Sequence, residues 1–295
     1  MEIAYHIGAN CTDDDRLMKA LMKNADPLLK AGIAVPGPSR YRGQIREAVQ
    51  ILDGAPAAPG ARDALIEEIF EKGVDQVRVK RLVMSNWRFL CVPRRIFENG
   101  VFYEQATPKV RGLAEIFSGD DLHLYFALRN PATFVPVVLE AADGMPYRDL
   151  MNGLDPRDLM WSDVIERIRV AAPAAQLTVW CNEDTPFIWP ALLRDISNID
   201  AETEIEGELD LLDRVLTAEG RSALRARLAK GDVVDIDGQR ALLSEVLSQH
   251  ADPKEVEQMI DIPGWSQALV DELTATYEAD VARILQMPGV RFVLP

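Results

Sequence analysis

Apolar residues fall along this chain in two alternating rhythms. Residues 3–7 (Ile-Ala-Tyr-His-Ile) are a nearly continuous apolar run closed by Gly8-Ala9-Asn10, which predicts a buried opening strand and its exit turn. From Arg16 the apolar positions Leu17, Met18, Leu21, Met22, Leu28 and Leu29 recur at helical spacing, with Gly32 at a C-cap position and Pro27 placed to break or kink the run. Residues 33–35, before Pro36-Gly37-Pro38, predict a short second strand. Residues 45–52 and 61–70 predict helices joined by the Ala-Pro-rich surface connection 54–60. Residues 81–85, 122–128 and 176–181 predict further strands, each followed by helical material that includes residues 134–142 and 186–196. The run 122–128 is so apolar that both of its faces must be covered.

This alternation predicts an α/β fold, a three-layer sandwich with a central parallel sheet of four or five strands, whose ligands gather at the strands' carboxyl ends. From residue 206 the chain turns helical and acidic, with main segments at 211–228, 242–250 and 266–285. These predict a C-terminal extension, 206–295, packed on a core of residues 1–205, with residues 291–295 as a closing strand or tail.

The chain has 295 residues, 48% of them apolar, enough for a hydrophobic core that needs no staple. Its 47 acidic and 32 basic residues give a formal charge of −15, which opposes binding to nucleic acids and anionic lipid surfaces. Cys11, Cys91 and Cys181 are too few and too scattered for a disulfide framework or a paired-cysteine zinc site. An acidic residue stands near the N-terminus and no apolar run reaches about 18 residues, so a cytoplasmic protein with no membrane span is expected.

The segment His6-Ile-Gly-Ala-Asn-Cys-Thr-Asp-Asp-Asp15 lies between the first strand and the first helix, where phosphate loops are found. It resembles the opening of bacterial P-loop sulfotransferases, whose loop reads His-Ile-Gly-x-x-Lys-Thr-Gly-Thr-Thr and holds the 5′-phosphosulfate of phosphoadenosine phosphosulfate. His6, Ile7, Gly8 and Thr12 match that frame, whereas the family's lysine falls on Cys11, its second glycine on Asp13 and its last two threonines on Asp14 and Asp15. Downstream, Asn24-Ala25 followed by Gly32-Ile-Ala-Val-Pro-Gly37 resembles the run after the family's first helix. Leu82-Val-Met-Ser85 resembles its next strand, and Trp265 to Val290 its final helix and tail. Residues 124–128 with Arg129-Asn-Pro131 resemble the second cofactor motif, whose arginine and serine bind the 3′-phosphate; that serine falls on Val137. The resemblance thus implies Gly8, Ala9, Asn10, Cys11, Thr12 and Arg129 as cofactor-binding positions. Loss of the lysine removes a preorganised donor, typically about 2.7–4 kcal/mol of transition-state stabilisation. Carboxylates beside an anionic donor add a repulsion of roughly 1–4 kcal/mol.

Several residues carry two readings. Asp13, Asp14 and Asp15 read as helix capping or as a divalent-cation site, which Glu183 and Asp184 would join. Cys11 is a small loop residue or a nucleophile at a helix N-terminus, and His6 a hydrogen-bonded structural histidine or a base. Trp87, Phe89, Phe97, Phe102 and Tyr103 are core packing or an acceptor pocket. Arg40, Arg42 and Arg46 are expected to balance local acids.

Three functions follow as expectations. The first is a sulfotransferase-like scaffold, catalytically degenerate or repurposed to bind a small-molecule ligand or a protein partner. The second is an active sulfotransferase using phosphoadenosine phosphosulfate, and the third a metal-dependent enzyme built on Asp13 to Asp15.

Overall fold

The computed structural model describes residues 1–70, 76–200, 203–230, 236–256 and 260–295, with the backbone alone at 236, 237 and 239. Six strands form one sheet: β1 (Glu2–Gly8), β2 (Ile33–Ala34), β3 (Arg81–Ser85), β4 (Asp121–Leu128), β5 (Gln176–Cys181) and β6 (Val290–Phe292). They lie in the order β2-β3-β1-β4-β5-β6 with every pair parallel. Helices cover both faces, so the chain is a three-layer α/β sandwich. β1, β3, β4 and β5 are buried along nearly their whole length, which is why they read as continuous apolar runs.

The first helical run divides into α1 (Arg16–Lys23) and α2 (Ala25–Lys30). The break falls at Asn24, three residues before Pro27, because a proline ring collides with the carbonyl four residues earlier, here that of Lys23. Gly32, at φ +86°, ends α2 and delivers the chain to β2. The next helices are α3 (Arg42–Leu52) and α4 (Ala61–Ile69), followed beyond β3 by α5 (Ala106–Ile116). β4 runs into α6 (Pro131–Ala141), whose Asn130 cap accepts from the Ala132 amide at 2.9 Å. α7 (Tyr147–Met151) and α8 (Trp161–Ala171) lead to β5, and α9 (Thr185–Ser197) follows it.

The C-terminal segment divides. α10 (Asp210–Val215), α11 (Ala218–Ala229) and α12 (Ile236–His250) share a small apolar cluster of their own, built on Leu212, Leu216, Leu224 and Leu243. After the short α13 (Pro253–Val256), α14 (Gln267–Ile284) returns to the main core through Tyr277 and Ile284. β6 then pairs with β5, so the closing residues form a sixth strand.

α3 and α5 approach closely because α5 carries glycine at the crossing. A Cβ on Gly112 would lie 2.8 Å from Val49 Cγ1. The substitution Gly112→Ala is expected to lower stability by about 1–3 kcal/mol, as overpacking does in a well-filled core. Urea denaturation checks it; an unchanged midpoint would mean that the two helices have room to separate.

Candidate functional site

β1 lies between β3 and β4, so the connections leaving the sheet's carboxyl edge turn to opposite sides of it. Crevices at such points are the usual ligand sites of parallel α/β sheets. A cavity of about 650 Å³ opens here, lined by Cys11, Thr12, Asp13 and Asp14 after β1, Trp87 and Arg88 after β3, and Arg129 after β4. Val137 and Glu140 of α6, Arg16 of α1, Asn182 and Trp189 after β5, and Arg214 and Glu255 of the C-terminal helices also line it.

The loop after β1 is fastened from beneath. Gly8, at φ +127°, has the Trp87 carbonyl 3.1 Å from where a Cβ would stand, so the close approach of the two loops requires glycine. The Ala9 amide donates to the Ala127 carbonyl at 3.2 Å. Asn10, 1% exposed, donates its amide to Tyr103 Oη and accepts from that hydroxyl at its own Oδ1, both at 2.9 Å, while its Nδ2 donates to the Cys91 carbonyl. Thr12 Oγ1 donates to the Ala9 carbonyl at 2.7 Å. Gly8, Ala9 and Asn10 therefore hold the loop in place, and of the positions the resemblance implies only Cys11, Thr12 and Arg129 line the cavity.

Arg129 is buried and turned onto the loop. One guanidinium nitrogen donates to the Cys11 carbonyl and its Nε to Thr133 Oγ1, and the Arg129 carbonyl accepts from Trp161 Nε1 at 2.8 Å. Nearby, Glu183 accepts from the Asn130 amide at 2.8 Å and from Tyr277 Oη at 3.1 Å, tying α14 to the end of β4. Burial pushes the Cys11 thiol up to about 11, which does not suit a nucleophile. His6 is fully buried with Nδ1 2.8 Å from Ser85 Oγ, and burial lowers its pKa to about 4; it is a neutral structural residue.

The three aspartates part company. Asp13 Oδ1 accepts from the Leu17 amide at 2.8 Å and caps α1, Asp14 pairs with Arg16 at 3.3 Å, and Asp15 pairs with Arg42. Among the described residues no three metal-ligating side chains converge, so the expected cation site on Asp13, Asp14 and Asp15 is not assembled. Asp184, expected to join it, stands at the start of α9, where burial raises its pKa. Asp13 keeps one feature that capping leaves unexplained. Its Oδ2 is buried and has no hydrogen-bond partner.

Phe89, Phe97, Phe102 and Tyr103 are core; the last two join Phe134 and Trp161 in an aromatic cluster in which Phe102 meets both edge-to-face. Trp87 alone of the five reaches the cavity. Of Arg40, Arg42 and Arg46, only Arg42 balances an acid among the described residues. Arg40 caps the carbonyls of Ile69 and Phe70, and Arg46 faces a different cavity. Tyr103, the loop's principal anchor, is invisible to pattern reading, because an aromatic residue in an apolar stretch looks the same whether or not its hydroxyl is used. Comparison of the chain with family models, with curated proteins and with solved structures finds no match.

Burial raises the Asp13 pKa from 3.8 to about 6. A carboxyl raised on folding favours the folded state below its unfolded pKa, and that contribution is lost as pH rises through the folded pKa, here between about 4 and 6. Asp13→Asn keeps the cap oxygen and removes the charge. The variant is expected to match the native chain near pH 4 and to exceed it by about 1–3 kcal/mol above pH 7. Denaturation at the two pH values checks this; an equal difference at both would contradict it.

Proposed function

We propose that this protein is a sulfotransferase-like scaffold repurposed to bind a small molecule, with the loop cavity as its site and sulfuryl transfer lost. The observation that carries this reading is the use made of Arg129: the arginine that the resemblance assigns to the 3′-phosphate is committed to the Cys11 carbonyl. Three further observations support it. Cys11 stands where the family's lysine would be, with a thiol that burial keeps protonated at neutral pH. Val137 replaces the serine of the second motif and presents methyl groups to the cavity. Asp13 and Asp14 line the cavity beside Cys11, and carboxylates there repel an anion. These residues do not fit phosphoadenosine phosphosulfate. They favour instead a neutral or cationic ligand, because Asp13 and Asp14 line the cavity where the anion would lie.

Calorimetric titration with adenosine 3′,5′-bisphosphate tests this. No binding that depends on Arg129 is expected at about millimolar nucleotide, where a specific ligand of that affinity would release measurable heat. Saturable binding abolished by Arg129→Ala, but retained by Arg46→Ala and Lys109→Met, would restore the sulfotransferase reading.

A further inference from the structure

A second cavity, of about 480 Å³, lies beside the first, and Arg88 lines both. Its polar wall is made by Arg42, Arg46, Arg88, Arg95 and Lys109, no carboxylate lines it, and Phe89 forms part of an apolar floor. In a chain with 47 acidic and 32 basic residues, such a gathering of cations around one cavity runs against the composition.

Two of the five are compensated, Arg42 by Asp15 and Arg95 by Glu98. Arg46, Arg88 and Lys109 have no carboxylate partner among the described residues; Arg88 lies instead over the ring of Trp87, 4.1 Å from its centre. Lys109 is half-buried, and burial first, then Arg46 and Arg95, hold its ammonium below the usual lysine range. Like charges crowded in this way oppose folding unless something of opposite sign joins them. The fold nonetheless enforces the crowding. Arg46 and Lys109 each lie one turn before the Val49–Gly112 contact that locks α3 against α5. The first turns of both helices also border the cavity, through Arg42 and Gly43 on one side and Gln105 and Lys109 on the other, and add the partial positive charge of helix N-termini.

We propose that this cavity binds a small molecule carrying a phosphate- or sulfate-type oxyanion on an apolar or aromatic group, with Arg46, Arg88 and Lys109 holding the oxyanion and Phe89 contacting the rest. Two guanidinium forks and a mobile ammonium supply charge-assisted donors for three or more oxyanion contacts. The site uses neither Arg129 nor Asp13, so it stands or falls separately from the loop cavity.

Isothermal titration of the full chain at low ionic strength, with phenyl phosphate and with inorganic phosphate, tests the proposal. Phenyl phosphate is expected to bind saturably, and about tenfold or more weakly in Arg46→Ala and in Lys109→Met, since each removes a charge-assisted contact. Tighter binding of the ester than of the inorganic ion identifies an organic ester as the ligand class, and equal binding identifies the free ion; both outcomes support an oxyanion site. Lys109→Met keeps the side-chain stem and relieves the crowding, so its melting temperature is expected at or above that of the native chain. Loss of affinity in that variant would then not be loss of fold. Absence of binding by both anions, or binding unchanged in both variants, overturns the proposal.

Discussion

The loop between β1 and α1 is anchored at Ala9, Asn10 and Thr12 by hydrogen bonds within the protein, and the rest of the site follows from that constraint. Asn10 is clasped by Tyr103, Ala9 is tied to β4, and Arg129 reaches across to the Cys11 carbonyl. A loop meant to cradle a phosphate must leave donors free and bring positive charge to them. Here Arg129 donates to the Cys11 carbonyl, and a buried carboxyl, Asp13, stands at the helix start. The loop stands between the first strand and the first helix and carries carboxylates at its helix end.

Much of the fold was legible in the sequence. Long apolar runs such as residues 122–128 can only be central strands, and the helix break before Pro27 follows from the shape of proline. The final strand was harder, because β6 is three residues long and its place at the sheet edge depends on where α14 packs. The candidate site was legible only in part. Its position after β1 followed from the alternation of elements, and Cys11, Thr12 and Arg129 do line the cavity. The aspartates misled because adjacency in sequence is not convergence in space: around a tight turn their side chains point to α1, to Arg16 and to Arg42. The neighbouring basic cavity was illegible, since Arg46, Arg88 and Lys109 are far apart in sequence and meet only where α3, α5 and the loop after β3 come together.

Overall charge proved a poor guide to local potential. At −15 the chain as a whole repels anions, yet three cations without carboxylate partners among the described residues meet beside the site. A field of that kind is short-ranged under physiological salt, where screening acts over about 8 Å, so a half-buried cavity retains its positive character although the surrounding surface is acidic. Two adjacent cavities, one lined by carboxylates and arginines together and one by cations without a carboxylate, meet at Arg88.

The central claim is that the loop after β1 is closed to oxyanions. Anomalous diffraction from crystals soaked in selenate tests it directly, because a heavy tetrahedral oxyanion marks any place where free donors and positive charge coincide. The account predicts a selenium peak among Arg46, Arg88 and Lys109 and none against residues 8–15. A peak cradled by the backbone of Cys11 to Asp15, with Arg129 turned toward it, would contradict the account.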